Sequence, residues 1–225
     1  MKQKNNELEI KVKYLEEEKI KIKDEMKEIK ELINQLKLEK EKEPIEDINP
    51  IINIKSKIIN NSSFHQLYKW INPSKSLNFE LFFTTSLNGD KAENFHKNFN
   101  GKGPSVIIIK GINGHIFGSY LTLPFSSDNK SHFDDNAFLF SLTKKKFGIK
   151  IKEKAVCHYS NWSPYIGYPE SCDLAIKEGC PKNKQNYCCP KSYEFNRVDL
   201  TGSDDKFFVI EDYEVYLVNE VYNDI

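Results

Sequence analysis

Hydrophobic residues recur at alternating spacings of four and three from Leu8 to Leu36. Leu8, Leu15, Ile22, Ile29 and Leu36 share one heptad position (d). Val12, Met26 and Ile33 share the other (a), where Lys19 interrupts the row. A 3.5-residue period held over four heptads predicts a supercoiled helix pair instead of a helix lying on a globular core. The flanking charges agree. Lys4–Glu9, Lys11–Glu16, Glu18–Lys23 and Glu25–Lys30 are all opposite in sign, so two identical chains, parallel and in register, have attractive rims. Each pair adds a few tenths of a kcal/mol, and together they select partner and orientation. Lys19 in the seam lowers stability and disfavours larger bundles, because its ammonium reaches solvent most easily from a dimer. Residues 1–43 carry 12 basic and 12 acidic side chains, a balance that a single solvated helix also shows. Pro44 and Asn49-Pro50 end the helix. The pattern divides the chain into a coiled-coil helix (1–43), a linker (44–55), a globular domain (56–219) and a tail (220–225).

Past the linker the hydrophobic period shortens towards two. Ser62 or Ser63 is expected to cap a short helix through Ile71, with Phe64, Leu67, Tyr68 and Ile71 on one face. Leu77 to Thr85 reads as a strand, Asn88-Gly89-Asp90 as a turn, and Lys91 to Asn98 as a second helix. That helix buries Ala92 and Phe95, with Phe99 continuing the stripe. His96, beside the stripe, reads as a packing or solvent contact. Val106–Lys110 and His115–Leu121 form a hairpin over Asn113-Gly114, a dipeptide that tolerates positive φ. Gly118 and Ser119 leave room for a close neighbour. Ala137 to Leu142 is apolar throughout, as in a strand buried on both faces. From Lys144 to Lys154, Ile149 and Ile151 alternate with lysines, which predicts isoleucines inward and lysines outward. Asn161–Gly167 is aromatic and turn-rich, Asp173–Ile176 a short strand, Lys182–Lys191 a polar loop. Phe207–Val218 is a strand pair or one bent strand. The class expected is α+β, mainly β: an antiparallel β-sandwich flanked by a few short helices and preceded by a long N-terminal coiled-coil helix.

Several of these elements carry an ordered set of motifs. They are Gly103-Pro104-Ser105, then Phe117-Gly118-Ser119-Tyr120, then Phe138-Leu139-Phe140-Ser141-Leu142. Leu81 to Gly89 precedes them, and Asp173-Leu174 and Tyr213-Glu214-Val215-Tyr216 follow. The set resembles the TLDc family over roughly Ser56 to Asn219. Two positions depart from the family pattern: Ser119 stands for a second Gly, and Pro124-Phe125 stands where a Trp commonly follows. The resemblance implies a β-sandwich with a few surrounding helices and no established catalytic residues. It also implies a link to oxidative-stress protection, with the vacuolar proton-pumping ATPase or an endolysosomal membrane complex as leading partner.

Charge adds little drive of its own. The 33 basic and 33 acidic residues cancel, so no global field draws the chain to nucleic acid or an anionic membrane. Without an apolar leader, a lipidation box or about 18 consecutive apolar residues, the expected location is cytoplasmic with no membrane span, the nucleus being the alternative, and the resemblance implies endolysosomal membranes as the site within the cytoplasm. Lys144, Lys145, Lys146, Lys150, Lys152 and Lys154 read as a solvated face, with a basic patch for phosphate, anionic lipid or an acidic partner as the functional alternative. The acids Asp204, Asp205, Glu211, Asp212 and Glu214 are candidates to meet that stripe.

Five cysteines are expected to be reduced. Cys157, Cys172, Cys180 and Cys188 are weak candidates for a metal, because their spacings of fifteen, eight and eight, followed at once by Cys189, are not those of zinc knuckles. Cys157 and His158 are strand neighbours facing opposite ways, which argues against a dyad. Gly101–Pro104 lacks the spacing of a phosphate loop. Asp134-Asp135 and Glu211-Asp212 read as solvated pairs. No cofactor is expected. The sequence therefore points to a non-enzymatic, homodimeric interaction protein. A DNA-binding stress regulator using paired basic surfaces, and a thiol-based redox sensor or enzyme, are the alternatives.

Overall fold

The structure, a computed structural model, describes residues 2–42, 55–168, 171–180 and 183–221. The chain divides into two units, Met1–Ile48 and Asn49–Ile225. The first contains one helix, α1 (Lys2–Lys42). The expected linker, apart from Lys55, and the tail beyond Val221 lie outside the described residues.

The second unit begins with α2 (Asn61–Ile71), capped by Asn60 and not by Ser62 or Ser63. The Asn60 carboxamide accepts the Ser63 amide at 3.0 Å, placing the start of the helix before both serines. Next come β1 (Leu77–Thr84), the one-turn α3 (Thr85–Asn88) and α4 (Ala92–Phe99). The hairpin is β2 (Ser105–Gly111) and β3 (Ile116–Leu121), paired Ile109 to Phe117, so its loop is Ile112-Asn113-Gly114, one residue longer than the dipeptide alone, with Gly114 at φ +81°. After β4 (Ser131–Phe133) come β5 (Phe138–Ser141), β6 (Lys146–Ile149) and β7 (Lys154–Cys157). The chain continues through β8 (Tyr165–Tyr168), β9 (Ser171–Ala175), β10 (Asn186–Cys188) and the short α5 (Arg197–Thr201). It ends in β11 (Phe207–Phe208) and β12 (Ile210–Glu220).

These strands make two six-stranded antiparallel sheets, ordered β1-β12-β2-β3-β5-β6 and β11-β10-β9-β8-β7-β4. The terminal segment is thus two strands in two sheets. Phe207-Phe208 pairs with β10, and past Val209 the chain crosses to lie between β1 and β2. Crossing at that point ties the sheets together at one corner.

Why the first sheet reads as unbroken apolar runs follows from what covers it. Ile107, Ile109, Phe117, Leu139 and Val215 face the second sheet, meeting Val156, Ile166, Leu174 and Phe208. Val106, Ile108, Phe138, Phe140 and Tyr216 face the other way, under Phe64, Leu67 and Tyr68 of α2. With α2 on one side and a sheet on the other, alternate residues have no solvent to face. Phe95 and Phe99 of α4 join Phe125 in the inter-sheet core, with ring centroids 5.2 and 5.4 Å from it.

Ser119 is fully buried between strands, and its hydroxyl has no hydrogen-bond partner among the described residues. Its side chain is accommodated where the family pattern has glycine, at the cost of one unsatisfied polar atom. Ser119→Ala is therefore expected to raise stability by about 1 kcal/mol, read as a higher urea midpoint with an unchanged slope.

Candidate interaction surfaces

Along α1 the side chains of residues 11–33 are described, and all are exposed. Val12, Leu15, Ile22, Met26, Ile29 and Ile33 lie in one a/d row, each 46–58% accessible, with Lys19 among them. Ile20 and Leu32 are exposed off that row. The side chains of Leu8 and Leu36 lie outside the described residues. A soluble helix normally turns such a stripe towards a neighbour.

In the lysine stripe most of the described lysines are exposed, but Ile149 and Ile151 do not turn inward as the alternation predicts. Strand β6 stops at Ile149, and Phe147, Ile149 and Ile151 are exposed along with Lys144, Lys145, Lys146 and Lys152. Gly148 is the residue that turns in: a Cβ there would lie 2.2 Å from the Glu194 carbonyl oxygen, so only glycine lets the 193–195 segment close on the strand. Ile149 and Ile151 are thereby left outside, and of the lysines that alternate with them only Lys150 turns partly in. Lys150, its side chain only 15% exposed, pairs with Asp135, while Lys146 pairs with Asp199 at 2.8 Å. Lys152 lies over the Tyr168 ring at 5.8 Å, Lys144 and Lys145 are exposed, and the side chain of Lys154 lies outside the described residues. Three of the C-terminal acids, Glu211, Asp212 and Glu214, are engaged away from this stripe. Glu211 pairs with Lys110 at 2.8 Å, and Asp212 accepts from Thr84 and Thr85. Two of the six lysines are thus neutralised within the chain, which weakens any continuous basic patch for nucleic acid.

The acidic residues of the motifs are buried anchors. Asp173 Oδ1 accepts the amides of Lys191 and Ser192, holding the loop after β10 on the sandwich. Burial pushes its carboxyl above the usual range, against the pull of those amide bonds. Glu214 accepts the Lys57 amide at 2.8 Å, Ser56 Oγ at 2.6 Å and Tyr216 Oη at 2.8 Å. Asp134, expected in solvent, is buried and accepts the amides of Thr122 and Leu123 at 2.7 and 3.1 Å. Its neighbour Asp135 is the exposed member of that pair. Gly103–Pro104 is a cis peptide.

With this geometry in view, a family model of the TLDc domain matches residues 52–219. The chain belongs to the TLDc family. No curated protein matches closely enough to add a relative to that assignment. The match spans both sheets and α2, so the TLDc motifs act here as the scaffold's internal ties: Gly118 in strand packing, Asp173 and Glu214 on backbone amides, and Phe138, Leu139 and Phe140 filling both faces of the first sheet.

In this TLDc domain Cys172 of β9 and Cys188 of β10 lie on neighbouring strands, with Cys189 following at once. Cys157, Cys180 and Cys188 are buried, Cys172 and Cys189 partly so, and all five are free. Burial pushes the thiols of Cys157, Cys172 and Cys188 up, and that of Cys180 up to about 12. Thiols so held are protonated at neutral pH, the opposite of what a peroxide-reactive sulfur needs. Cys157 contacts Ser131 Oγ, whereas the His158 ring stacks on Phe125, so the two side chains do diverge. His96 is buried and donates from Nε2 to the Trp162 carbonyl at 2.7 Å, fixing the 159–162 loop on α4. On the outer side of the second sheet a cleft of about 620 Å³ is lined by Trp162, Tyr165, Cys172, Lys177, Tyr187 and Phe207. Lys177 lies 5.5 Å from the Trp162 ring and donates to Gln185. Among the described residues no helix is long and apolar enough to cross a membrane.

Proposed function

We propose that this TLDc protein is a non-enzymatic interaction module. A parallel coiled coil of α1 joins two copies, and each TLDc domain binds the same partner. The observation that carries the reading is the row of exposed apolar residues on α1 in a chain whose remainder is a TLDc domain. Pairing two such rows removes several half-exposed Leu, Ile and Val side chains from water, each worth about 1 kcal/mol or more. Two domains joined in this way engage a repeated or bivalent target with an avidity well above that of either alone. The TLDc family supports the vacuolar proton-pumping ATPase as the partner, in the setting of oxidative-stress protection and from the cytoplasmic side of endolysosomal membranes. Raised thiol pKa values and the dispersal of the motif acids into structural ties support the absence of catalysis.

Light scattering of the intact chain is the direct test of the joining step. Twice the 26.3 kDa chain mass is expected at micromolar concentration, falling to one chain in the double variant Leu15→Glu, Ile22→Glu. Pull-down from a lysate containing the pump then tests the partner. Intact protein should retain pump subunits and the double variant should retain markedly less. A single-chain mass for the intact protein ends the dimer reading, and absence of pump subunits ends the partner assignment.

A further inference from the structure

The first strand of the 131–158 region and the residue after β7 bring two histidines together. His132 lies in β4, paired with Val156 of β7, and His158 follows two residues later. Their ring centroids are 4.5 Å apart. Asp128, at the start of the loop into β4, lies 3.0 Å from His132 Nε2. One ring nitrogen of each histidine and one carboxylate oxygen of Asp128 all lie within 4.8 Å of one another. Among the described residues this is the group of three His, Cys, Asp or Glu side chains so placed, and none of the five cysteines belongs to it.

The backbone fixes the arrangement. Asn129 donates its amide to the His158 carbonyl at 3.0 Å, and His158 donates its own to Lys130 at 3.1 Å. The Asp128 carboxylate accepts the Lys130 amide at 3.1 Å, and Asn129 Oδ1 accepts the Ser160 amide at 3.0 Å. The His158 ring is under-partnered for its burial. It is 2% exposed, with Nδ1 against Ser126 Oγ at 2.9 Å and no partner for Nε2 among the described residues. Buried polar atoms are paired in the great majority of cases, so an imidazole beside a second imidazole and a carboxylate calls for a ligand.

We propose that Asp128, His132 and His158 form a binding site for a first-row divalent cation, zinc in the first instance. Two imidazoles and a carboxylate are a donor set that zinc accepts, at bond lengths near 2.0–2.2 Å. Donors in a tetrahedral zinc site stand about 3.4 Å apart at those lengths. Asp128 and His132 are already near that spacing, and closing on His158 asks for up to about 1.4 Å from side chains limited to 4.8 Å. The closing falls to Asp128, which is exposed, and His132, which is partly so, and not to the buried ring. Three protein donors leave the ion a fourth position open to water or to a donor from another molecule.

The test is a titration of the intact, reduced chain with zinc chloride, followed through the imidazole nitrogen resonances. At one equivalent the ring nitrogens of His132 and His158 are expected to shift, while those of His65, His96 and His115 stay in place. Asp128→Asn and His132→Gln, at accessible positions, should fold as the parent does and weaken zinc association by more than the roughly 10–100-fold cost of losing an outer partner of a ligand. Zinc taken up with both rings unmoved, as it would be by thiols, overturns the site. So does parental affinity in both variants, which would leave an Asp-His pair stacked on a buried ring and nothing more.

Discussion

Gly118→Ala is expected to abolish the folded domain. A Cβ at this position would lie 1.8 Å from the Ile107 carbonyl oxygen, 2.9 Å from its carbon and 2.9 Å from Phe140 Cζ. The first two atoms are backbone of β2, in the middle of the first sheet, and cannot swing aside. Relief requires β2 and β3 to part, which breaks the Ile107–Ser119 and Ile108–Gly118 register and opens both layers of core at once. A cost above about 4 kcal/mol, rare for one substitution, is a large share of the 5–15 kcal/mol that holds a domain together. Gly114→Ala is the matched control. Gly114 has φ of +81° but nothing within 4 Å of the added carbon, so it loses only the left-handed preference, about 1 kcal/mol. Circular dichroism and urea titration of the two variants separate close packing from turn strain. A Gly118→Ala protein with the parental midpoint would show that the strands do not approach as described.

How much of this was legible beforehand depended on the distance between partners along the chain. β2 and β5 were readable because burial on both faces writes a continuous apolar run, as in Val106–Ile109 and Phe138–Phe140. The turn at Gly114 was readable because a glycine there supplies the positive φ, although the loop also takes in Ile112. β10 was not, since Asn186-Tyr187-Cys188 has no apolar pattern. Its Asn186 is fully buried and its carboxamide serves as extra backbone, donating to the Asn183 and Phe208 carbonyls and accepting the Lys177 amide. β4 escaped for the same reason, being a short edge of Ser-His-Phe. The isoleucines between the lysines misled because alternation does not say which residue of a strand is covered. A glycine in contact with residue 194, far along the chain, made that choice. Asp134 looked like one of a solvated pair, and only the fold shows that the Thr122 and Leu123 amides await it. The grouping of Asp128, His132 and His158 likewise exists only once β4 has paired with β7.

The same long-range logic makes Glu214→Ala the second large effect. Glu214 sits in the middle of β12, 1% exposed, and its carboxylate begins a relay into the start of the domain. Ser56 donates its hydroxyl to Glu214 and accepts the amides of Ile58 and Ile59 at 3.0 and 2.9 Å, while the Lys57 amide goes to Glu214 directly. Ile59 is thereby set into the core under α2, one residue before its Asn60 cap. Removing the carboxylate leaves the buried Tyr216 hydroxyl and the Lys57 amide without their acceptor. At about 1–3 kcal/mol for each orphaned group, a loss of about 3 kcal/mol or more is expected. Glu214→Gln keeps one acceptor oxygen but not the charge, so it should lose less, and Tyr216→Phe, which withdraws only one donor, about 1 kcal/mol. Urea midpoints give the order, and hydrogen exchange gives the mechanism: protection of the Ile58 and Ile59 amides should drop in Glu214→Ala and survive in Tyr216→Phe. A cycle with Ser56→Ala decides whether one relay is at work, because two substitutions along it should cost clearly less together than the sum of their separate losses. Strict additivity would mean that Glu214 stabilises β12 locally and that the 56–59 segment is held by its apolar contacts alone.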